Sequence, residues 1–174
     1  MKISKFLVSV VVAVMLSSGA FAHAATHSNR SVAVISLSAP IMVYLKAYGG
    51  YSEQFHYVTH SIVVPSVWLY NPAGKPVGLF AAGRFSQLAV RLKGFPRGFA
   101  HAKPLTQEPG WDAMKKILQR LGGKKSLVSA ATSHWTAVLL NGGDDASRQY
   151  LSLLEKAARK STVTLRIVSI RLKL

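Results

Sequence analysis

The chain contains no cysteine, and this absence excludes several kinds of structure and chemistry. Its side chains cannot form a disulfide, and they cannot carry out dithiol–disulfide exchange, which requires a thiolate. Exported proteins commonly use disulfides to stabilise their folds, so a cysteine-free exported chain has to fold by burial alone. With 174 residues and 49 % hydrophobic content, there is enough apolar sequence for one domain with a core or for two small ones.

Acidic residues are also scarce. Six Asp and Glu stand against 22 Lys and Arg, which gives a formal net charge of +16. Such a charge attracts anionic partners in a salt-sensitive way, although a solvated basic surface without a ligand has the same composition. No stretch interleaves aromatic and basic residues as a stacking platform for single-stranded nucleic acid does.

Long apolar runs are absent after the N-terminus. Two lysines precede the apolar run Phe6–Leu16, which is too short to span a bilayer, and small residues follow it. This pattern predicts a secretory signal peptide over residues 1–24, with cleavage after Ala22 or Ala24. Removal of the two lysines lowers the formal net charge to +14. We therefore predict a periplasmic or secreted protein with no later transmembrane segment.

Apolar periodicity predicts alternating strands and helices along the rest of the chain. Strands are predicted at 31–38, 135–140 and 162–174, a hairpin at 65–80 with its turn at 71–74, and helices at 44–48, 86–92, 111–121 and 145–160. Gly49 and Gly50 are expected to end the first helix, and Ser86 is expected to cap the second. The apolar parity of the last strand changes at Ile167–Val168, which predicts a bulge or burial on both faces.

Turn residues occur throughout Phe95–Pro109, which is the expected domain boundary, and residues 101–109 are predicted to be the linker. It separates a β-α-hairpin-α segment, residues 25–100, from an α-βαβ segment, residues 110–174. The two segments form two small domains or pack together as one.

The segment from Trp135 to Leu172 resembles the opening βαβ unit of the thioredoxin-like superfamily. In that family a buried strand leads into a C-x-x-C loop at the N-terminus of a helix, with a basic residue just after the loop. Residues 144–147 occupy this slot here, and Arg148 and Glu155 follow at the matching offsets. The earlier stretch 32–48 is similar again, with Met42–Leu45 in the slot and Lys46 after it.

Val64-Pro65-Ser66 heads the predicted hairpin and resembles the cis-proline hairpin of the same family. The resemblance implies a cis bond before Pro65, and it implies that this proline faces the loop and helps to hold an extended partner backbone. The expected fold is α/β, a thioredoxin-like sandwich that is abbreviated or has a permuted element order, because the hairpin precedes the βαβ unit.

The predicted function follows from the resemblance to the thioredoxin-like fold and from the absence of cysteine at the C-x-x-C positions. We expect a non-catalytic, redox-inactive thioredoxin-like module of the cell envelope that binds a partner protein or an extended segment and needs no cofactor. The candidate binding residues are Pro65, Ser66, Asp144, Asp145 and Ser147. The alternative is a cationic periplasmic protein that associates electrostatically with anionic envelope components or nucleic acid.

The slot itself is predicted to be structural. Asp144 or Asp145 can accept hydrogen bonds from the free N–H groups at the helix N-terminus and complement its dipole. A metal site formed by these residues and Asn141 is a weaker hypothesis, because the spacing matches no calcium loop.

Two further sets of residues are weak candidates. Glu53, His56 and His60 would share one face of a helix, but the surrounding residues favour extended structure, in which residues four apart lie about 13 Å from each other, so a shared metal is not expected. Ser133-His134 has no acidic partner at a recognisable distance, so a hydrolase site is not expected.

Overall fold

The computed structural model describes residue 32 and residues 34–55, 63–123 and 134–173. Within these ranges, five strands form one mixed sheet and four α-helices cover it, so the α/β class is confirmed. The elements in chain order are β1 (Val34–Pro40), α1 (Ile41–Phe55), β2 (Ser66–Tyr70), β3 (Pro76–Ala81), α2 (Phe85–Lys93), a short 3-10 helix (Arg97–Phe99), α3 (Trp111–Arg120), β4 (Trp135–Asn141), α4 (Asp145–Lys160) and β5 (Leu165–Lys173).

The strand order in the sheet is β1-β5-β4-β2-β3. Strand β5 is parallel to both β1 and β4, and the parallel pair β4–β5 is joined by the crossover helix α4. The hairpin β2–β3 comes earlier in the chain, yet β2 pairs with β4 in antiparallel direction. Elements from both sides of residues 101–109 therefore share one sheet.

Side chains alternate between the two faces of the sheet and build two apolar layers. The layer shared with α1 and α3 contains Tyr44, Trp68, Met114, Val138 and Ile170. The layer shared with α2 and α4 contains Val67, Leu88, Leu139, Leu154 and Ile167. The sheet is thus buried between two pairs of helices, which is the arrangement that a mixed α/β sheet needs to bury both faces.

The change of parity in β5 results from burial on both faces. Ile167 belongs to one apolar layer and Val168 to the other, and both are at most 2 % exposed. The register of β5 with β1 and β4 runs without a shift through these residues, so the alternative of a bulge is wrong.

The prediction that Gly49 and Gly50 end the first helix is wrong. Helix α1 runs through both glycines to Phe55. Each glycine costs a helix about 1 kcal/mol relative to alanine. Tyr44, Ala47 and Tyr48 are buried against the sheet, and such tertiary packing supplies most of the stability of helices in proteins.

The predicted cap of the second helix is also wrong. Helix α2 begins at Phe85, and Ser86 lies inside its first turn. Arg84 occupies the N-cap position without a capping side-chain hydrogen bond. Leu88 and Leu92 are buried, so burial of this apolar stripe fixes the helix where a serine cap was expected.

The hairpin is formed at the predicted place. The N–H of Gly74 donates to the Asn71 carbonyl at 2.8 Å, and Gly74 has a φ of +72°, a conformation that favours glycine. The predicted cis bond between Val64 and Pro65 is confirmed at the entry to β2, and Phe95–Pro96 is cis as well.

The stretch 101–109 lies against the hairpin. The N–H of Leu105 donates to the Pro76 carbonyl at 2.8 Å, and the N–H of Trp111 donates to the Gly74 carbonyl at the same distance. Glu108 is buried with 6 % exposure. The turn residues of this stretch shape a packed segment, which the sequence pattern alone does not distinguish from a linker.

The predicted signal peptide, residues 1–24, lies outside the described residues, so export stays a prediction. In the part of the chain that the structure describes, no helix has the length and apolar character needed to cross a membrane.

Candidate functional site

The loop between β4 and α4 is held in place by its own hydrogen bonds. Asn141 Oδ1 accepts from the N–H of Gly143 at 2.7 Å, and Ser147 Oγ accepts from the N–H of Gly142 at 2.9 Å. Ser147 is completely buried. The Ser147 hydroxyl thus lies at the last position of the loop segment 144–147 and satisfies a backbone donor of the loop.

Asp144 occupies the first position of the slot and caps α4, as predicted. Its Oδ1 accepts from the N–H of Ser147 at 2.9 Å. Hydrogen bonding from the Ser147 side chain, and then from its backbone N–H, lowers the pKa of the exposed Asp144 carboxyl. The ionised carboxylate is therefore the form that the helix N-terminus favours.

Asp145 has a different partner. It forms an ion pair with Arg148, whose Nη1 also donates to the Gly143 carbonyl at 3.2 Å. The side-chain oxygens of Asn141, Asp144 and Asp145, which the metal hypothesis would use as ligands, therefore each bind a different donor of the protein. Across the described residues, no group of three or more His, Asp or Glu side chains could hold a metal ion.

The start of the hairpin lies next to this loop. Ser66, the first residue of β2, pairs with Leu140 of β4 just before the loop begins. A Cβ atom added to Gly142 would lie 3.1 Å from Val64 Cγ1. Pro65 and Ser66 are buried, and the Ser66 hydroxyl donates to the Val63 carbonyl. The fold thus brings the hairpin candidates and the slot candidates to the same end of the sheet.

A groove of about 710 Å³ opens beside this junction. Val63 and Ser66 line one part of it, and the rest is lined by residues of α1, β4, the hairpin, the segment 104–108 and one side of α2 with the residue before it. Its volume falls in the range of pockets that bind small molecules or a few residues of a peptide.

The outer edge of β3 runs along the groove. Strand β3 is the last strand in the order of the described sheet and pairs only with β2. The Pro76 carbonyl accepts from the N–H of Leu105, so the segment 104–108 covers only the beginning of this edge. Within the described ranges, the backbone of residues 77–80 forms no backbone hydrogen bond outside the ladder with β2.

Glu108 fixes one wall of the groove. Its Oε2 accepts from Trp68 Nε1 at 2.9 Å and from the Tyr48 hydroxyl at 3.5 Å. Tyr48 in turn stacks on Tyr44 with ring centroids 5.9 Å apart. Burial, aided by the neighbouring Tyr48 and Glu108, raises the pKa of Tyr44, so this phenol stays neutral. These contacts tie segment 104–108 to β2 and α1.

The opposite side of the groove carries positive charge. Arg84, Gln87 and Arg91 line it from one face of α2, whereas Leu88 and Leu92 face the core. Arg91 lies over the Phe99 ring at 5.7 Å. Neither arginine forms an ion pair with a carboxylate in the described parts of the chain.

Sequence reasoning missed this groove. Local sequence patterns place Glu108 in the predicted linker 101–109, and they give Arg84 and Arg91 no role beyond the net charge. One feature of the sequence does indicate a basic surface in this region. No acidic residue occurs between Glu53 and Glu108, the part of the chain that contains β2, β3 and α2.

The remaining sequence candidates do not contribute to the groove as described. His56 and His60 lie outside the described residues, as do the side chain of Glu53 and residue Ser133. His134 is described and half-buried at the start of β4, where it does not line the groove.

No protein-family model, curated protein or solved structure matches this chain. The chain's own geometry offers two features with functional meaning. One is the loop between β4 and α4, whose polar groups hydrogen-bond to one another, and the other is a groove lined by two arginines and by a strand edge that no other described strand pairs with.

Proposed function

We propose that the chain is a non-catalytic, redox-inactive thioredoxin-like module of the cell envelope that holds an extended segment of a partner protein. The observation that carries the proposal is the contact between Val64 and Gly142. It sets the proline-headed strand β2 beside the loop in the C-x-x-C slot. In the family that the sequence resembles, the corresponding proline faces this loop and helps to hold an extended partner backbone.

The sheet supports a permuted version of that fold. The hairpin β2–β3 precedes the unit β4-α4-β5 in the chain, but it adjoins that unit in space because β2 pairs with β4. Packing depends on which elements are neighbours in space and not on their order in the chain. A permuted order therefore preserves the position of the hairpin beside the loop, and with it the groove next to their junction.

The residues at positions 144–147 are consistent with a protein that binds a partner but does not exchange disulfides with it. A thiolate is required to attack a disulfide, and the carboxylate of Asp144 and the hydroxyl of Ser147 cannot replace it. Both groups instead accept backbone hydrogen bonds within the loop. The slot thus supports the fold, and the neighbouring groove is the surface available to a partner.

Site-specific photo-crosslinking in the producing cell tests the proposal. A photoreactive amino acid replaces Val63, which is 39 % exposed and lines the groove. The matched control replaces Val90, which is 74 % exposed on α2 and does not line the groove. We expect a discrete protein adduct from position 63 and none from position 90. Equal adducts, or none at position 63, would contradict the proposal.

Electrostatic association with anionic envelope components or nucleic acid is the second candidate. The acid-free region between Glu53 and Glu108 favours it, because six Lys and Arg lie there without a compensating acid. Salt separates the two functions. A complex with an apolar contact survives high ionic strength, whereas a purely electrostatic complex dissociates as salt rises.

A further inference from the structure

We infer that the segment held in the groove is an acidic, extended polypeptide that adds to the sheet as a further strand beside β3. This inference rests on the proposed function and specifies the chemistry of the partner. It combines three features of the groove as the described residues form it, namely a backbone edge without a pairing strand, two arginines without an acidic partner among those residues, and an apolar lining.

The open edge selects an extended polypeptide. The backbone of residues 77–80 offers its outward N–H and C=O groups along the groove, beyond the bond that Leu105 makes to Pro76. Unpaired strand edges are templates for another strand, and added strands bind mainly through their main-chain hydrogen bonds. A ligand without a repeating backbone of donors and acceptors cannot use this edge.

The arginines select acidic side chains. Arg84 and Arg91 are seven residues apart, which corresponds to about 10 Å along a helix axis. Side chains on the same side of a strand repeat about every 7 Å. Two carboxylates on one side of an added strand therefore fall within reach of both flexible arginines, and such charge-assisted bonds are among the stronger hydrogen bonds.

The apolar lining favours alternation of acidic and apolar residues in the ligand. Leu79 is half-buried in the groove, and Val77 and Phe80 line it as well. The acid already present does not oppose an acidic ligand directly, because Glu108 is 6 % exposed and is engaged by Trp68 and Tyr48.

Nucleic acid fits the groove less well than a polypeptide. Single-stranded nucleic acid binds by stacking its bases on exposed aromatic rings. Trp68 and Tyr48 line the groove but are only 6 % and 7 % exposed, so their ring faces are not accessible to a base.

Binding of a defined peptide tests the inference. The probe is a short, acetylated and amidated peptide in which valine and glutamate alternate, and its affinity for the purified protein is measured by isothermal titration calorimetry at physiological ionic strength. The comparison peptides carry glutamine or lysine in place of glutamate. We expect the glutamate peptide to bind about tenfold or more tightly than either, because only its side chains pair with the arginines.

Charge reversal on α2 provides the matched variants. Arg84→Glu with Arg91→Glu should weaken the glutamate peptide about tenfold or more. Lys93→Glu with Arg97→Glu changes the net charge equally at exposed positions that do not line the groove, and it should change affinity by less than about threefold. Equal losses in both double variants would show attraction to overall charge and would overturn the inference.

The added strand has its own test. N-methylation of every peptide amide should abolish binding, because it blocks both hydrogen-bonding edges of the peptide, and the unmodified peptide should slow hydrogen exchange of amides within residues 77–80. Binding that survives N-methylation, or equal affinity for single-stranded DNA, would overturn the inference. If position 63 still crosslinks to a partner in that case, the proposed function stands and only the chemistry of the partner is wrong. If position 63 captures nothing, the proposed function fails.

Discussion

Val64 and Gly142 meet where the hairpin reaches the loop after β4, because a Cβ atom at residue 142 would lie only 3.1 Å from Val64 Cγ1. This separation is shorter than an ordinary contact between carbon atoms. The glycine therefore allows the entry to β2 to approach the N-terminal end of α4. A Cβ atom at residue 142 requires the Val64 side chain to shift by a few tenths of an ångström.

Gly142→Val should consequently destabilise the protein by about 1–3 kcal/mol through overpacking. Val64→Ala provides room, so the double variant should be more stable than the sum of the single effects predicts, with a coupling energy of about 0.5 kcal/mol or more. Urea unfolding measures all four proteins of this cycle. The control cycle pairs Gly142→Val with Val90→Ala, whose exposed side chain lies on α2. Equal coupling in the two cycles would mean that the contact does not determine the effect.

The cap of α4 should make stability depend on pH in the acidic range. The pKa of Asp144 is lower in the folded protein than in the unfolded chain. Its contribution is therefore complete above the unfolded value of about 3.9 and is lost as pH falls through the lower folded value. Melting temperatures of wild type and Asp144→Asn should differ most above pH 4 and converge in stronger acid, because asparagine caps without titrating.

Asp144→Ala removes the acceptor altogether and should lower the melting temperature at neutral pH by a few degrees. If the loop is only structural, the groove should still bind a partner, so crosslinking from position 63 should persist in Asp144→Ala with Asp145→Ala. Loss of the crosslink with no change in melting temperature would instead identify the loop as a recognition site.

Thiols restored to the slot test the resemblance to a redox loop. In the double variant Asp144→Cys with Ser147→Cys, the thiol at position 144 would stand at the N-terminus of α4, where the helix dipole lowers a thiol pKa. We expect it to react with a small disulfide faster than a thiol introduced by Ser152→Cys, an exposed position in the middle of α4. Similar rates across neutral pH would argue against the thioredoxin-like frame.

The stability of the protein should depend on the hydrogen bonds that Glu108 forms in the wall of the groove. Glu108→Ala leaves the buried Trp68 Nε1 without its acceptor, which costs about 1–3 kcal/mol. Glu108→Gln retains a side-chain acceptor and should cost less. Gln107→Ala, at the exposed neighbouring residue, is the control and should have little effect in urea unfolding. If the alanine variants at 107 and 108 were equally stable, the hydrogen bonds of Glu108 would not hold the wall.

The candidate site was predictable in part. Strand β4, the cap at Asp144 and the hairpin after Pro65 follow from local periodicity, turn chemistry and the resemblance. The groove was not predictable, because Arg84 and Arg91 meet the edge of β3 only after α2 has packed on the sheet, and Glu108 meets Trp68 only after segment 104–108 has folded back.

The sequence by itself determined the positions of most strands and helices, because apolar spacing and turn residues act over a few neighbouring residues. It also excluded dithiol chemistry, since no arrangement of this chain supplies a thiol. Only the tertiary structure decided that α1 continues through Gly49 and Gly50, that β5 is buried on both faces, and that β2 lies beside β4. These outcomes depend on contacts between residues far apart in the chain, and the burial gained there outweighs the local preferences of the segments involved.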